Sequence, residues 1–222
     1  MTVPAISTAE TPLFGGALTA HFPTNFEDAS HFREVPDTQE VYVSKTYDTD
    51  ISVIIDILQR VDSGTAAVQA VHWQDVANVN SEDAAALAVH WEDVAGADDD
   101  RTNKIFAQER VVLPNLADKP AFSITGTVST RASEPQSDPP LFTAILMTVV
   151  RLPEQGTDLV ITVNVPHTDV QLVRGEGTVA APSYAGALSG AQGHMLQAGF
   201  MVRDKVLETL KVLNWGLFVE ED

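Results

Sequence analysis

The run FTAILMTVVRLPEQGTDLVITVNV, from Phe142 to Val165, decides the fold class. It is rich in β-branched and apolar residues, and it is interrupted once, at Leu152 to Thr157, where Pro153 and Gly156 supply turn chemistry. The reading is two strands, Phe142 to Arg151 and Leu159 to Val165, joined by a hairpin-length connection and therefore antiparallel. Upstream, Ile105 to Leu113 and Phe122 to Arg131 carry the same period-two character, so four strands follow one another without intervening helices. Strands in one run and helices in others, rather than strict alternation, imply an α+β domain built on a largely antiparallel β-sheet.

Working toward the amino terminus, Leu18, Ala20 and Phe22 alternate with polar residues up to Pro23, which predicts a strand after a turn at Leu13-Phe14-Gly15-Gly16. Phe26 to Phe32 is expected to form a single helical turn. Val35 to Gln39 reads as a turn, because Pro36 fixes its own φ and restricts Val35, and Glu40 to Ser44 reads as a strand. Asp50 as N-cap, apolar residues at 51, 54, 55, 58 and 61, and Gly64 as a stop predict a helix over Ile51 to Val61.

The stretch from Asp62 to Asp100 holds nine acidic residues and no Lys or Arg, and within 65–98 it is duplicated: His72-Trp73-Gln74-Asp75-Val76-Ala77 recurs as His90-Trp91-Glu92-Asp93-Val94-Ala95. Two helices broken near Asn80-Ser81 are expected, with Ser81 as a possible cap for the second. Residues 167–198, rich in Gly, Ala, Ser and Pro, read as an irregular excursion, and Phe200 to Leu213 returns to helical spacing. The organisation expected is a flexible tail over 1–11 and a single domain over 12–222.

Composition limits function. The 222 residues carry 13 Lys+Arg against 31 Asp+Glu, a formal net charge of -18, so nucleic acid and anionic membrane are poor partners and a basic protein is a good one. With 44% apolar residues the chain can fill a core. It has no cysteine, hence neither a disulfide framework nor a thiolate zinc site. The apolar run Leu141 to Val150 is far short of the ~20 residues of a membrane helix. Residues 1–10 lack the basic and apolar segments of a signal peptide, so a soluble, intracellular protein without membrane insertion is expected.

Catalytic signatures are weak. Phosphate loops and a Gly-x-Ser-x-Gly elbow are missing, and a Ser/His/Asp triad has nothing pointing to it. His and Asp three apart in each His-Trp-x-Asp copy have a spacing that suits a metal, and a metal-dependent hydrolase using His72 and His90 is the corresponding enzyme reading. The plainer reading is a surface or boundary histidine copied by tandem duplication. No enzyme activity, metal or cofactor is therefore expected. The feature that stands out is Glu27, Asp28, Glu34, Asp37 and Glu40: five carboxylates in fourteen residues, facing only Arg33 and interleaved with Phe26, Phe32, Val35 and Pro36. Acid mixed with exposed apolar groups is the makeup of an interface for a basic partner.

The same region carries a family pattern. Pro12-Leu13-Phe14-Gly15-Gly16-Ala17, then Asp28-x-Ser30, then Arg33-x-Val35-Pro36-Asp37-x-Gln39-Glu40-Val41 resembles the opening of the Ran guanine nucleotide release factors, the Mog family of Ran-binding proteins. Ile51 to Val61 resembles the family's first long helix and His90-Trp91-Glu92-Asp93-Val94 a later segment. Arg151-Leu152-Pro153 through Thr157-Asp158-Leu159 to Asn164-x-Pro166 resembles its hairpin, and Leu213 to Phe218 is similar to the tail of fungal members. Segments 96–140 and 167–198 contribute little.

The resemblance implies a sheet flanked by helices, as in the photosystem subunit PsbP, and a monomer that binds the GTPase Ran, promotes release of its guanine nucleotide and serves nucleocytoplasmic transport. Nuclear and cytoplasmic residence follows from it, as does the prospect of other Ran-binding proteins joining the complex. Asp37, Gln39 and Glu40 fall on the family's acidic motif, with Asp28 upstream and Glu34 between. Thr38, where Asn is common, the extra copy at His72 to Asn80 and the long 167–198 stretch depart from the pattern. The competing reading is an acidic adaptor or trafficking chaperone for a different basic protein.

Overall fold

The computed structural model describes residues 6–45, 51–62, 81–96, 101–130, 142–167 and 190–218. Strands β1 (Thr8–Leu13) and β2 (Leu18–Pro23) form a hairpin, which β10 (Lys211–Val212) extends into a three-stranded sheet. The main sheet has seven strands: β3 (Phe26–Asp28), β4 (Gln39–Ser44), β5 (Ser52–Gln59), β6 (Arg101–Val111), β7 (Ala121–Thr130), β8 (Phe142–Leu152) and β9 (Thr157–His167). Their spatial order is β3-β4-β5-β9-β8-β7-β6, and every neighbouring pair is antiparallel. Helix α1 (Ser81–Ala95) packs on one face, while α2 (Gly190–Thr209) and the small sheet pack on the other. The α+β antiparallel architecture is as expected.

The period of two explains both cores. Along β8, Ala144, Leu146, Val150 and Leu152 join the α2 core, whereas Ile145, Met147 and Val149 join the α1 core. Both faces are therefore apolar, as a central strand covered on both sides requires. Between β8 and β9, Pro153–Gln155 form a 3-10 turn and Gly156 takes φ 61°, closing the predicted hairpin in full register from Leu152↔Thr157 to Phe142↔His167. Trp91 lies over Gly126 of β7, where an added Cβ would come within 2.4 Å of the indole and 2.6 Å of the Lys104 carbonyl.

Several local expectations are corrected. Ser52–Gln59, expected within a helix, is a strand paired with β4 and β9. Ile51, Val53 and Ile55 are buried in the α2 core, whereas Leu58 packs against the α1 core. A strand covered on both faces places apolar residues at nearly every position, and any such run also matches i, i+3, i+4; its four isoleucines and one valine over 51–57 favour the extended form. The segment resembling a first long helix is likewise this strand. Phe26–Asp28 is strand β3, followed by a 3-10 turn at Ala29–His31. Thr8–Thr11 belong to β1, paired from Thr8↔Pro23, so the end of the expected flexible tail is structured. Helix α2 starts at Gly190, inside the stretch expected to be irregular, and ends at Thr209, before the expected Leu213. Helix α1 begins at Ser81 among the described residues, whereas Asn80 of the expected break, the His72 copy, Asp50 and Gly64 lie outside them.

A buried charged cluster fixes α1 to the hairpin. Arg151 is 2% exposed and Asp158 fully buried; Arg151 Nε donates to Asp158 Oδ1 at 2.6 Å and Nη1 to Asp83 Oδ1 at 3.0 Å, near the start of α1. Asp158 Oδ2 also accepts the Val61 N–H at 3.0 Å and stands 2.9 Å from His90 Nε2. Buried ions persist only when paired and hydrogen-bonded, and this cluster meets that requirement from four segments. His90, expected at a surface or boundary, is a core residue.

Candidate partner-binding site

The acidic residues gather at the β3–β4 end of the main sheet. Asp28 stands opposite Tyr42 across β3 and β4, and Glu40, two residues before Tyr42, points to the same face. Asp28 Oδ1 accepts the Ser30 N–H at 2.8 Å and caps the 3-10 turn. Glu40 is half-buried, and its Oε1 accepts the Phe14 N–H at 2.5 Å. That contact spans from β4 to the turn between β1 and β2, where Phe14 adopts φ 48°, an uncommon value for a residue with a Cβ, ahead of Gly15 at 64° and Gly16 at 89°. Burial raises the Glu40 carboxyl above its ordinary value; the Phe14 hydrogen bond opposes that rise, and the Asp28 charge adds to it. Burial and the same two carboxylates push the Tyr42 phenol upward.

The loop before β4 supplies the exposed part. The Gln39 N–H donates to the Pro36 carbonyl at 2.9 Å, closing a turn with Asp37 and Thr38 at its corner, as the Pro36 signal predicted. Glu34 and Asp37 are exposed, and among the described residues neither has an ion-pair partner. Phe32, two residues before Glu34 in sequence, is 61% exposed.

Gln39 goes elsewhere. Alternation along β4 sends it to the α1 face of the sheet, where its Nε2 donates to Asp56 Oδ1 at 2.5 Å. The contiguous motif Asp37, Gln39, Glu40 is thus divided: an exposed corner, an amide toward α1 and a carboxylate toward the small sheet. Sequence reasoning missed Asp56, because a helical reading of 51–61 hid its pairing with Gln39. Burial raises the Asp56 carboxyl, opposed by the Gln39 hydrogen bond. Among the described residues no group of three or more His, Asp or Glu is arranged to hold a metal.

A family model described as "Ran-interacting Mog1 protein" matches residues 11–166, most of the chain and the whole of this acidic region. The chain belongs to the Mog1 family. Among Mog1 relatives, the "Nuclear import protein MOG1" of Saccharomyces cerevisiae is 32% identical over 174 residues, 74% of this chain and 69% of that protein. The "Ran guanine nucleotide release factor" of Homo sapiens is 32% identical over 170 residues, 73% of this chain and 78% of its own length. The crystal structure of the Saccharomyces cerevisiae Ran-binding protein Mog1p superposes with a TM-score of 0.62 at 24% identity, covering 97% of this chain and all of that one, so the chain has the Mog1 fold.

Proposed function

We propose that this protein binds the GTPase Ran through the acidic end of its main sheet, promotes release of Ran's guanine nucleotide and supports nuclear import from both nucleus and cytoplasm. The observation that carries the reading is the exposed Glu34–Asp37 corner, without an ion-pair partner among the described residues, set beside Glu40 and Asp28 in a family whose members are named for Ran and for nuclear import. Asp37 makes first contact with a basic surface, Glu40 and Asp28 supply a partly desolvated second charge, and Phe32 contributes apolar area.

No bond is made or broken in such an action. A protein expels a nucleotide by binding the empty GTPase more tightly than the loaded one, and linkage requires nucleotide to weaken this protein equally. A preference of ~3 kcal/mol corresponds to a shift of about 150-fold in nucleotide affinity.

The test is release of a fluorescent guanine nucleotide from purified Ran, with and without the protein, at two salt concentrations. Acceleration that falls with salt and is reduced by Asp37→Ala is expected. No acceleration by a folded sample would favour an acidic adaptor for another basic protein; normal binding by Asp37→Ala would remove that residue from the site.

A further inference from the structure

Between α1 and strands β4, β5 and β9 lies a cavity of about 380 Å³ whose polar lining is Gln39, Asp56, His90, Asp93, Thr162 and Asn164. We propose that it receives the side chain of an arginine presented by a protein partner. The inference rests on the partner-binding reading above and extends it to the opposite face of the sheet.

The lining is an acceptor set. One Gln39 amide N–H is engaged by Asp56 and one Asn164 amide N–H donates to Ser52 Oγ at 3.3 Å, and among the described residues each carbonyl oxygen remains available as an acceptor. Asp56 and Asp93 add carboxylates, and among the described residues neither has an ion-pair partner. Two further polar atoms are buried without a partner: Thr162 Oγ1, on a residue 2% exposed, and His90 Nδ1, whose ring is held at Nε2 by Asp158. Buried polar atoms are almost always satisfied, so these two mark a place where polar contacts remain to be made.

What fits is a donor-rich cation. The cation for which the lining argues is an organic one. Ile54, Leu58 and Val160 supply an apolar wall suited to an alkyl stem, and acceptors distributed over β4, β5, β9 and α1 suit the planar fork of a guanidinium better than the point charge of an ammonium. Gln39 directly follows the exposed Asp37-Thr38 corner in sequence, so a basic surface that engages the corner lies one residue along the chain from the cavity lining. The occupant is therefore part of the partner rather than a free metabolite.

The test is an NMR titration of the full chain with n-butylguanidinium, followed by Ran affinity for two variants, Asp93→Asn, at an exposed position of α1, and Asp56→Asn, which retains an acceptor for Gln39. Butylguanidinium is expected to shift the Gln39 and Asn164 side-chain amides, and each variant to weaken both it and Ran about tenfold, the size of one charge-assisted hydrogen bond. No shift at those amides, or shifts unchanged in both variants, overturns the proposal. Butylguanidinium binding that the variants abolish while Ran affinity stays intact overturns the partner's arginine as the occupant. Failure of the Ran reading itself has a different signature: the unmodified chain does not bind Ran, whatever butylguanidinium does.

Discussion

Replacing Glu40 separates its two roles. Glu40→Gln keeps an oxygen able to accept the Phe14 N–H and removes the charge; Glu40→Ala removes both. In the native protein the carboxylate is half-buried, is repelled by Asp28 and has one hydrogen bond to the strained turn at Phe14. Loss of that bond leaves the part-buried Phe14 N–H without its acceptor, which costs about 1–3 kcal/mol, and relaxation of the strained Phe14 turn returns part of it, so Glu40→Ala should lose about 1–2 kcal/mol in urea unfolding. Glu40→Gln should be as stable as the native protein at pH 7, or more so. The sign follows from the raised carboxyl: the folded state binds this proton more tightly than the unfolded chain, whose group titrates near 4.5. The native protein therefore matches Glu40→Gln below that pH and falls behind it as pH rises through the folded-state value. Ran binding should respond differently, because the charge itself is lost in both variants; each should weaken it by about 1–2 kcal/mol, between a rim charge and a buried one. The reasoning is refuted if Glu40→Gln is as destabilised as Glu40→Ala, or if the stability difference from the native protein does not change with pH.

Two further perturbations probe the scaffold. Asp158→Ala leaves Arg151 and His90 without their shared buried acceptor and should cost about 3–5 kcal/mol, read as a lowered urea midpoint with an unchanged slope; a loss below 1 kcal/mol would mean that Asp83 and Glu82 suffice to neutralise Arg151. Gly126→Ala drives a methyl into the Trp91 ring and the Lys104 carbonyl and should destabilise by about 1–3 kcal/mol with a changed tryptophan emission, whereas a neutral outcome would show that α1 can slide off β7.

Much was legible in the sequence where physics is local. Alternating β-branched residues and the Pro153–Gly156 turn determine the β8–β9 hairpin, the Leu13–Gly16 turn follows from its glycines, and Pro36 places the corner that exposes Asp37. The charge imbalance and the acidic run around Asp37 were equally plain, since composition needs no coordinates. Tertiary structure decided the rest. Whether 51–61 coils or extends depends on pairing with β4 and β9, because a run apolar on both faces satisfies either period until neighbours cover it. Likewise, Gln39 and Glu40 are adjacent in sequence yet part to opposite faces of the sheet, and Asp56, His90, Asp93 and Asn164 meet at one cavity only through strand register and the seat of α1. Local preference acts over a few residues, whereas a site is assembled from contacts more than a hundred residues apart, such as Ser52 with Asn164; those distances are set by packing alone.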